Sequence, residues 1–109
     1  MKLRLSPRAE ADLDSIAAYL AARDPQALQH VQDQLAAALR LLLDHPQAGR
    51  HVGRGLRRLS VPRLPYLIVY RVDEAAEAVA VATIRHTARR LDPAGIRWLM
   101  LPRGTDPHP

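Results

Sequence analysis

PYLIVYRV, at residues 65–72, and AVATIRHTARR, at residues 80–90, are the most strand-like stretches of the chain. Both are rich in aliphatic and β-branched residues, and the acidic segment DEAAE separates them, which is the pattern of two strands joined by a turn. The first strand is apolar, whereas the second ends in arginines and a histidine. The pair therefore forms either the floor of a catalytic site or a surface that docks onto another macromolecule.

Two helices are predicted on the N-terminal side of these strands. Ser6-Pro7 and Asp24-Pro25 each place a capping side chain before a proline, which is a common start of a helix. Apolar residues then recur three and four positions apart in both segments, so each helix has one apolar side. The two helices are expected to form a hairpin. MKLRL, residues 1–5, alternates apolar and basic residues and predicts a short edge strand.

The segment between the second helix and PYLIVYRV is interpreted as a loop and a strand. PQAGRHVGRG, residues 46–55, has a proline and three glycines and predicts a loop. Strands are predicted at residues 56–61, 66–72 and 78–85, and their short connections favour antiparallel pairing. The predicted fold is therefore α+β, in the order β-α-α-β-β-β, with a small antiparallel sheet and the N-terminal helical hairpin packed on one face.

Composition excludes several classes of protein. The chain has 109 residues, 48% hydrophobic and 25% charged, which is the composition of one folded domain. The charged N-terminal segment has no apolar run, and LAAALRLLL, residues 35–43, is short and interrupted by Arg40, so neither a signal peptide nor a membrane span is predicted and a cytoplasmic protein is expected. There is no cysteine, and the five histidines show no metal-binding spacing, so no metal or other cofactor is expected.

The basic residues are concentrated in the C-terminal part of the chain. Residues 1–44 carry five basic and six acidic side chains, whereas residues 45–109 carry eleven basic and five acidic ones. Between His45 and Val72 there are six arginines and no carboxylate. One surface is therefore expected to be strongly positive and to bind an acidic partner, either a protein or a nucleic acid.

Three segments carry a resemblance to a known family: GLRRLSVPRLPYLIVYRV at residues 55–72, IRHTARR at residues 84–90 and LSPRAEADLDSIAAYL at residues 5–20. They resemble the toxin superfamily of type II toxin-antitoxin modules that includes ParE and RelE. The resemblance covers about residues 2–92. It implies one toxin domain at residues 1–92. From its composition, the C-terminal tail at residues 93–109 is expected to be partly apolar and then, in its proline-rich part, frayed.

The resemblance also implies partners. A cognate antitoxin, ParD-like or related, would wrap the toxin with an acidic or amphipathic C-terminal segment and form a hetero-oligomer with it. RelE-like members cleave messenger RNA in the ribosome, while ParE-like members poison DNA gyrase. No membrane partner is implied.

The residue at position 67 favours the ParE-like branch. RelE-like nucleases typically carry an arginine after the first aromatic residue of this strand, on the open sheet face, and the matching residue here is Leu67. A leucine cannot stabilise the charge that builds up on a phosphate during cleavage. Alternation along the strand places Leu67, Val69 and Arg71 on that face. The neighbouring strand adds either Arg57 and the residues that alternate with it or Arg58 and the residues that alternate with it, depending on the register. An exposed mixture of aliphatic side chains and arginines is typical of a protein interface.

Three groups of site residues are predicted. Target binding is expected at the end of the last strand, where three arginines within six residues exceed what solubility requires; the residues are Arg85, His86, Arg89 and Arg90. Antitoxin binding is expected at Arg57, Arg58, Arg63, Leu67, Val69, Arg71 and Trp98. If the protein were a metal-independent endoribonuclease, His86 would be the general acid, and Arg71 and Arg58 would supply positive charge.

Structural interpretations of the same residues remain open. His86 would then be an ordinary strand-end residue, and Tyr66 and Tyr70 would belong to the core rather than stack on bases. Trp98 and the apolar residues after it either cover the sheet or bind a partner. The sequence thus predicts a ParE-like toxin that inhibits gyrase without catalysing a reaction. One alternative is a RelE-like ribosome-dependent endoribonuclease. The other is an inactive family member that acts only as an antitoxin-binding or regulatory module.

Overall fold

The computed structural model describes residues 1–87, which form two helices and five strands. The elements are β1 (Lys2–Leu5), α1 (Pro7–Arg23), α2 (Pro25–Asp44), β2 (Arg50–Gly53), β3 (Leu56–Ser60), β4 (Tyr66–Asp73) and β5 (Ala78–His86). The predicted α+β fold class is confirmed. Neither of the two helices is long and apolar enough to cross a membrane.

Both helices begin where the sequence predicts. The Ser6 hydroxyl accepts the Ala9 N–H at 3.0 Å, the Asp24 carboxylate accepts the Ala27 N–H at 3.1 Å, and a proline follows each cap. Asp24 also ends α1, because its own N–H donates to the Leu20 carbonyl oxygen at 2.7 Å. One residue therefore ends the first helix and starts the second, which produces the predicted hairpin.

The sheet is mixed rather than fully antiparallel. Its strand order is β1-β5-β4-β3-β2, and β1 runs parallel to β5 while all other neighbours are antiparallel. No tight turn connects β1 to β5, because the helical hairpin and three other strands lie between them in the chain, so their relative direction is not restricted. The expected antiparallel sheet is therefore wrong at its first strand, although that strand does join the sheet as predicted.

Residues 46–55 are not a continuous loop, because they contain β2. The turn between β2 and β3 has two residues, Arg54 and Gly55, and Gly53 pairs with Leu56 across it. Arg54 and Gly55 have φ values of 56° and 75°, as required by the type I′ turn that suits the twist of a hairpin. The loop prediction is wrong at β2 because glycine supports a tight hairpin turn as readily as a longer loop.

The core lies between the helical hairpin and one face of the sheet. Alternate residues of β4, namely Tyr66, Ile68 and Tyr70, belong to the same buried cluster as Leu35 and Leu42 of α2. The two tyrosines are 7% and 0% exposed. The interpretation of both tyrosines as core residues is therefore confirmed, and neither ring is accessible for stacking on a base.

The last part of β5 is covered by α1 rather than by β1. β1 pairs with only the first four residues of β5. Ser6 extends this contact, because its N–H donates to the Val81 carbonyl oxygen at 3.0 Å. The Asp12 carboxylate of α1 then accepts the Ile84 N–H at 3.0 Å and also the Thr83 hydroxyl. Polar backbone groups at this edge thus find partners within the domain. Without these partners, this edge of the sheet would be open.

Candidate functional site

One face of the sheet collects basic side chains from all five strands. Residues opposite one another in neighbouring strands point to the same side of a sheet. Arg50 lies opposite Arg58 across β2 and β3, and Arg85 lies opposite Leu67 across β4 and β5. This side is opposite to the one that packs on the helices, because Leu67 alternates with the core residues of β4. We call it the basic face, and its cations are Lys2, Arg4, Arg50, Arg58, Arg71 and Arg85.

Most of the cations on the basic face are in contact with solvent. Arg58 is half-buried and Arg85 is 5% exposed. Asp73 is the only carboxylate in the five strands of residues 1–87, and it forms an ion pair with Arg4 at 3.8 Å. The exposed cations are Lys2, Arg4, Arg50 and Arg71. The basic face is therefore a strongly positive surface, as the sequence predicts.

Two aliphatic residues at the centre of the basic face are buried. Leu67 is 1% exposed and Val69 is 8% exposed. The expectation that aliphatic side chains form an accessible centre on this face is therefore wrong, because burial of a residue depends on everything that packs around it and not on its strand alone. Besides the half-buried Leu56, the face presents cations to a partner, and among these Arg58 and Arg71 belong to the predicted antitoxin-binding set.

His86 lies on the other side of the sheet from Arg58 and Arg71. It pairs with Tyr66, which is a core residue, and the two rings meet edge to face with their centroids 5.3 Å apart. Arg58 lies opposite Val69, and Arg71 follows Val69 by two positions, so both arginines point to the basic face. The structure therefore does not bring together the three residues predicted for the nuclease alternative.

Arg57 is also directed away from the basic face. It lies opposite Tyr70, and its guanidinium donates to the Gly49 carbonyl oxygen at 2.8 Å and to the Gln47 carbonyl oxygen at 3.4 Å. These bonds hold the segment before β2 against β3. Arg57 thus has a structural role in the free protein, and the register places Arg58 rather than Arg57 on the face that contains Leu67.

The other predicted site residues lie at a turn or in the tail. Arg63 is exposed, with a positive φ of 66°, in the turn where the Leu64 N–H donates to the Val61 carbonyl oxygen at 3.2 Å. It lies in the connection between β3 and β4, outside the strands that form the basic face. The predicted residues Arg89, Arg90 and Trp98, and the domain boundary at residue 92, lie outside the described residues.

Three cations of the basic face are absent from the predicted site. Lys2 and Arg4 come from the edge strand, and Arg50 comes from the segment interpreted as a loop. The alternation of MKLRL carries the signal for the first two, since it places both basic residues on one side. The signal for Arg50 is the Arg-Gly pair at residues 54 and 55, which defines the hairpin and hence the register.

A metal site is not found in the part of the chain that the structure covers. Residues 1–87 contain no group of three or more His, Cys, Asp or Glu side chains placed to hold a metal ion.

Comparison with known families identifies the chain. Residues 3–91 match the family described as the ParE toxin of the type II toxin-antitoxin system parDE. The chain belongs to the ParE toxin family. The resemblance to the ParE and RelE superfamily is therefore confirmed, and the protein is a toxin of the type II toxin-antitoxin class.

The sequence relatives of this ParE family member include a protein named after the RelE branch. Toxin RelE1 of Caulobacter vibrioides is 36% identical over 84 residues, which cover 75% of this chain and 88% of that protein. Two solved structures have the same fold. The chromosomal ParDE system from P. aeruginosa gives a TM-score of 0.66 at 23% identity, covering 79% of this chain and 95% of that one. The intact E. coli RelBE complex gives 0.61 at 19% identity, covering 78% and 94%.

Proposed function

We propose that this toxin inhibits DNA gyrase without catalysing a reaction, and that a cognate antitoxin holds it inactive. The observation that carries the proposal is the separation of His86 from Arg58 and Arg71 on opposite sides of the sheet. In this proposal the basic face and the C-terminal flank, with Arg89 and Arg90, bind gyrase and stall the state in which its DNA is cleaved.

Metal-independent RNA cleavage requires groups that converge on one phosphate. A base must take the proton of the 2'-hydroxyl, cations must stabilise the phosphate charge, and an acid must protonate the leaving oxygen. His86 could reach a phosphate only from the side of Tyr66, whereas Arg58 and Arg71 would reach one from the basic face. Leu67, with 1% exposure, stands where RelE-like nucleases carry an arginine. A toxin that blocks its target by binding does not require such convergence.

Two surfaces support an antitoxin partner. The basic face suits an acidic segment, since it contains six cations and a single carboxylate. An apolar groove between α1 and α2, lined by Leu13, Ile16, Leu28, Leu35 and Leu39, suits an amphipathic helix. Both similar structures reported above are of toxin-antitoxin systems, ParDE and RelBE, which agrees with this proposal.

The ribosome-dependent endoribonuclease is the second candidate. It is favoured by the 36% identity to Toxin RelE1 of Caulobacter vibrioides and by the exposure of Arg71 on the basic face. An inactive member that only binds an antitoxin is the third candidate, and activity in either of the assays below would exclude it.

Two assays on the same purified chain distinguish the candidates. In the first, gyrase supercoils relaxed plasmid, and the products are denatured with detergent and protease; the proposal predicts loss of supercoiling and accumulation of linear DNA. In the second, a defined message is translated and its length is followed; the proposal predicts intact message. Cleavage of the message with undisturbed supercoiling would replace the proposal by the second candidate, and inactivity in both assays with tight antitoxin binding would favour the third.

A further inference from the structure

The basic face places two cations directly opposite each other. Arg50 faces Arg58 across β2 and β3, and like charges in facing positions disfavour an antiparallel strand pair. Within residues 1–87, no hydrogen bond or ion pair engages the side chain of Arg50 or Arg71. An anion bound beside Arg50 and Arg71 would meet uncompensated positive charge, so the arrangement points to a ligand with several negative charges.

Apart from the half-buried Leu56 of β3, the accessible part of the face is cationic. Tight protein interfaces depend on a few buried apolar or aromatic residues at their centre, but Leu67 and Val69 are already buried in the toxin. Binding to a nucleic acid backbone depends instead on Lys and Arg side chains that neutralise phosphates. The exposed residues Lys2, Arg4, Arg50 and Arg71 therefore fit a nucleic acid better than a peptide.

The dimensions of the face agree with a double helix. Five strands spaced about 4.8 Å apart extend over about 19 Å. Duplex DNA presents one negative charge per about 1.7 Å of its axis, so each of four cations can find a phosphate without reading the sequence. A guanidinium also matches a phosphate with two parallel hydrogen bonds.

The charge distribution of the whole domain would orient an approaching polyanion. All six acidic residues of the first 44 lie in α1, in α2 or at the cap between them. The helical side is therefore negative and the sheet side positive, which steers an anionic polymer to the basic face.

We propose that the basic face binds the phosphate backbone of double-stranded DNA directly and without sequence preference. This inference rests on the proposed function, and it means that the toxin contacts the DNA held by gyrase in addition to the enzyme itself. Lys2, Arg4, Arg50 and Arg71 make the phosphate contacts.

The test is the salt dependence of binding to a fluorescently labelled 20-base-pair duplex of arbitrary sequence, followed by anisotropy with the purified full chain. Four phosphate contacts give a slope of about −3.6 in log affinity against log salt, so binding weakens about 150-fold from about 50 to about 200 mM salt. The double substitution Arg50→Gln and Arg71→Gln should reduce the steepness of the slope to about −1.8, so that the same increase in salt weakens binding only about 12-fold. The matched control, Arg23→Gln with Arg40→Gln, removes two exposed arginines from α1 and α2 and should leave the slope unchanged.

Each other outcome overturns the inference. Circular dichroism first confirms that both variants are folded. Absence of duplex binding at 50 mM salt, or an equal loss of slope in the control, would remove the basic face as a DNA site. An acidic peptide that binds while the duplex does not would assign the face to an antitoxin. Single-stranded RNA that binds far more tightly than the duplex would assign it to RNA.

The gyrase assay and the duplex-binding assay test the proposed function and this inference independently of each other. Gyrase inhibition by a chain that does not bind duplex DNA would keep the proposed function and reject the DNA contact. Duplex binding by a chain that leaves supercoiling unchanged would keep the DNA contact and reject gyrase as the target.

Discussion

Tyr70 connects the centre of the sheet to the segment that leads into β2. Its side chain is completely buried. The hydroxyl donates to the Pro46 carbonyl oxygen at 2.7 Å and accepts the Gly49 N–H at 2.8 Å. Two backbone groups of a connecting segment thus find a partner within the domain, one of them buried and the other partly buried.

Replacing Tyr70 by phenylalanine should destabilise the domain by about 1–3 kcal/mol, because the buried Gly49 N–H and the partly buried Pro46 carbonyl lose their partner while the ring remains. Urea unfolding followed by circular dichroism measures the change. Tyr19→Phe is the control, since Tyr19 is 56% exposed and its hydroxyl makes no hydrogen bond within residues 1–87. Equal stability of Tyr70→Phe and the parent would show that the two hydrogen bonds contribute nothing.

Gly49 is restricted by the same tyrosine. A Cβ atom at this position would lie 2.6 Å from the Tyr70 hydroxyl oxygen and 2.7 Å from a ring carbon. Gly49→Ala should therefore cost about 1–3 kcal/mol, because either the ring or the segment must move. Thermal unfolding tests this against Gln47→Ala, a change at an exposed neighbouring position. An unshifted midpoint for Gly49→Ala would mean that the segment moves without cost.

At the scale of the elements, Asp12 joins α1 to the last part of β5. Its side chain is 15% exposed, and it accepts bonds from the Ile84 N–H, the Thr83 hydroxyl and the Arg8 guanidinium. The sequence suggests for Asp12 only a favourable position near the positive end of the helix dipole. Its contact with β5 depends on how α1 crosses the sheet, which no local pattern reveals.

Asp12→Ala should destabilise the domain by about 1–3 kcal/mol and speed hydrogen exchange at the Ile84 amide, because that amide loses its acceptor. Exchange measured residue by residue, or on a peptide covering β5, tests the prediction. Asp14→Ala is the control, since Asp14 is exposed on the same helix. Unchanged protection at Ile84 in the Asp12 variant would mean that α1 does not hold this edge.

The hairpin of β2 and β3 contains a residue in an unfavourable backbone conformation. Arg54 has a φ of 56°, a backbone conformation that glycine and asparagine adopt readily but that is strained for most other residues. Arg54→Asn creates the Asn-Gly pair that type I′ turns prefer and should stabilise the domain by about 0.5–1 kcal/mol. Urea unfolding measures it, with Arg40→Asn as a control for the lost charge. A lower stability for Arg54→Asn would show that the arginine side chain has a role in the folded state.

Local signals explain which elements the sequence predicts correctly. The caps Ser6 and Asp24 fix both helix starts because a capping bond involves residues only three positions apart. The alternation of β4 likewise assigns Tyr66 and Tyr70 to the core. The parallel pairing of β1 with β5 could not be predicted in this way, because it joins residues about 76 positions apart.

The candidate site was harder to predict than the fold, because a site depends on register. A bulge between β4 and β5 pairs Val69 with Thr83 but Tyr70 with Val81, so one residue of β5 is skipped. The bulge determines that Arg85 shares a face with Leu67, while His86 shares one with the core. The core residues of β5 change phase between Val81 and Ile84, but only the structure shows that a bulge causes this and separates His86 from the arginines.

At the scale of the whole molecule, charge divides the domain into a negative helical layer and a positive sheet layer. A larger positive region would arise if the arginines after β5 extend the basic face, as the proposed function requires. Charge reversal at Arg89 and Arg90 should then abolish toxicity without unfolding the domain, because the target would meet repulsion at its docking site. Growth after induction in a bacterial host tests this, with circular dichroism to confirm folding. The control is charge reversal at Arg23 and Arg40, and equal toxicity of the two variants would remove Arg89 and Arg90 from the site.

The pairing of β1 with β5 has a consequence for how the toxin comes into being. The first strand to leave the ribosome must wait for the last of the five before it has a neighbour, because β5 lies between it and the rest of the sheet. A nascent chain that ends before β5 has neither the complete core nor the positive surface. We therefore expect the active toxin to form only after β5 has been synthesised, so that chains that stop before β5 are harmless to the cell that makes them.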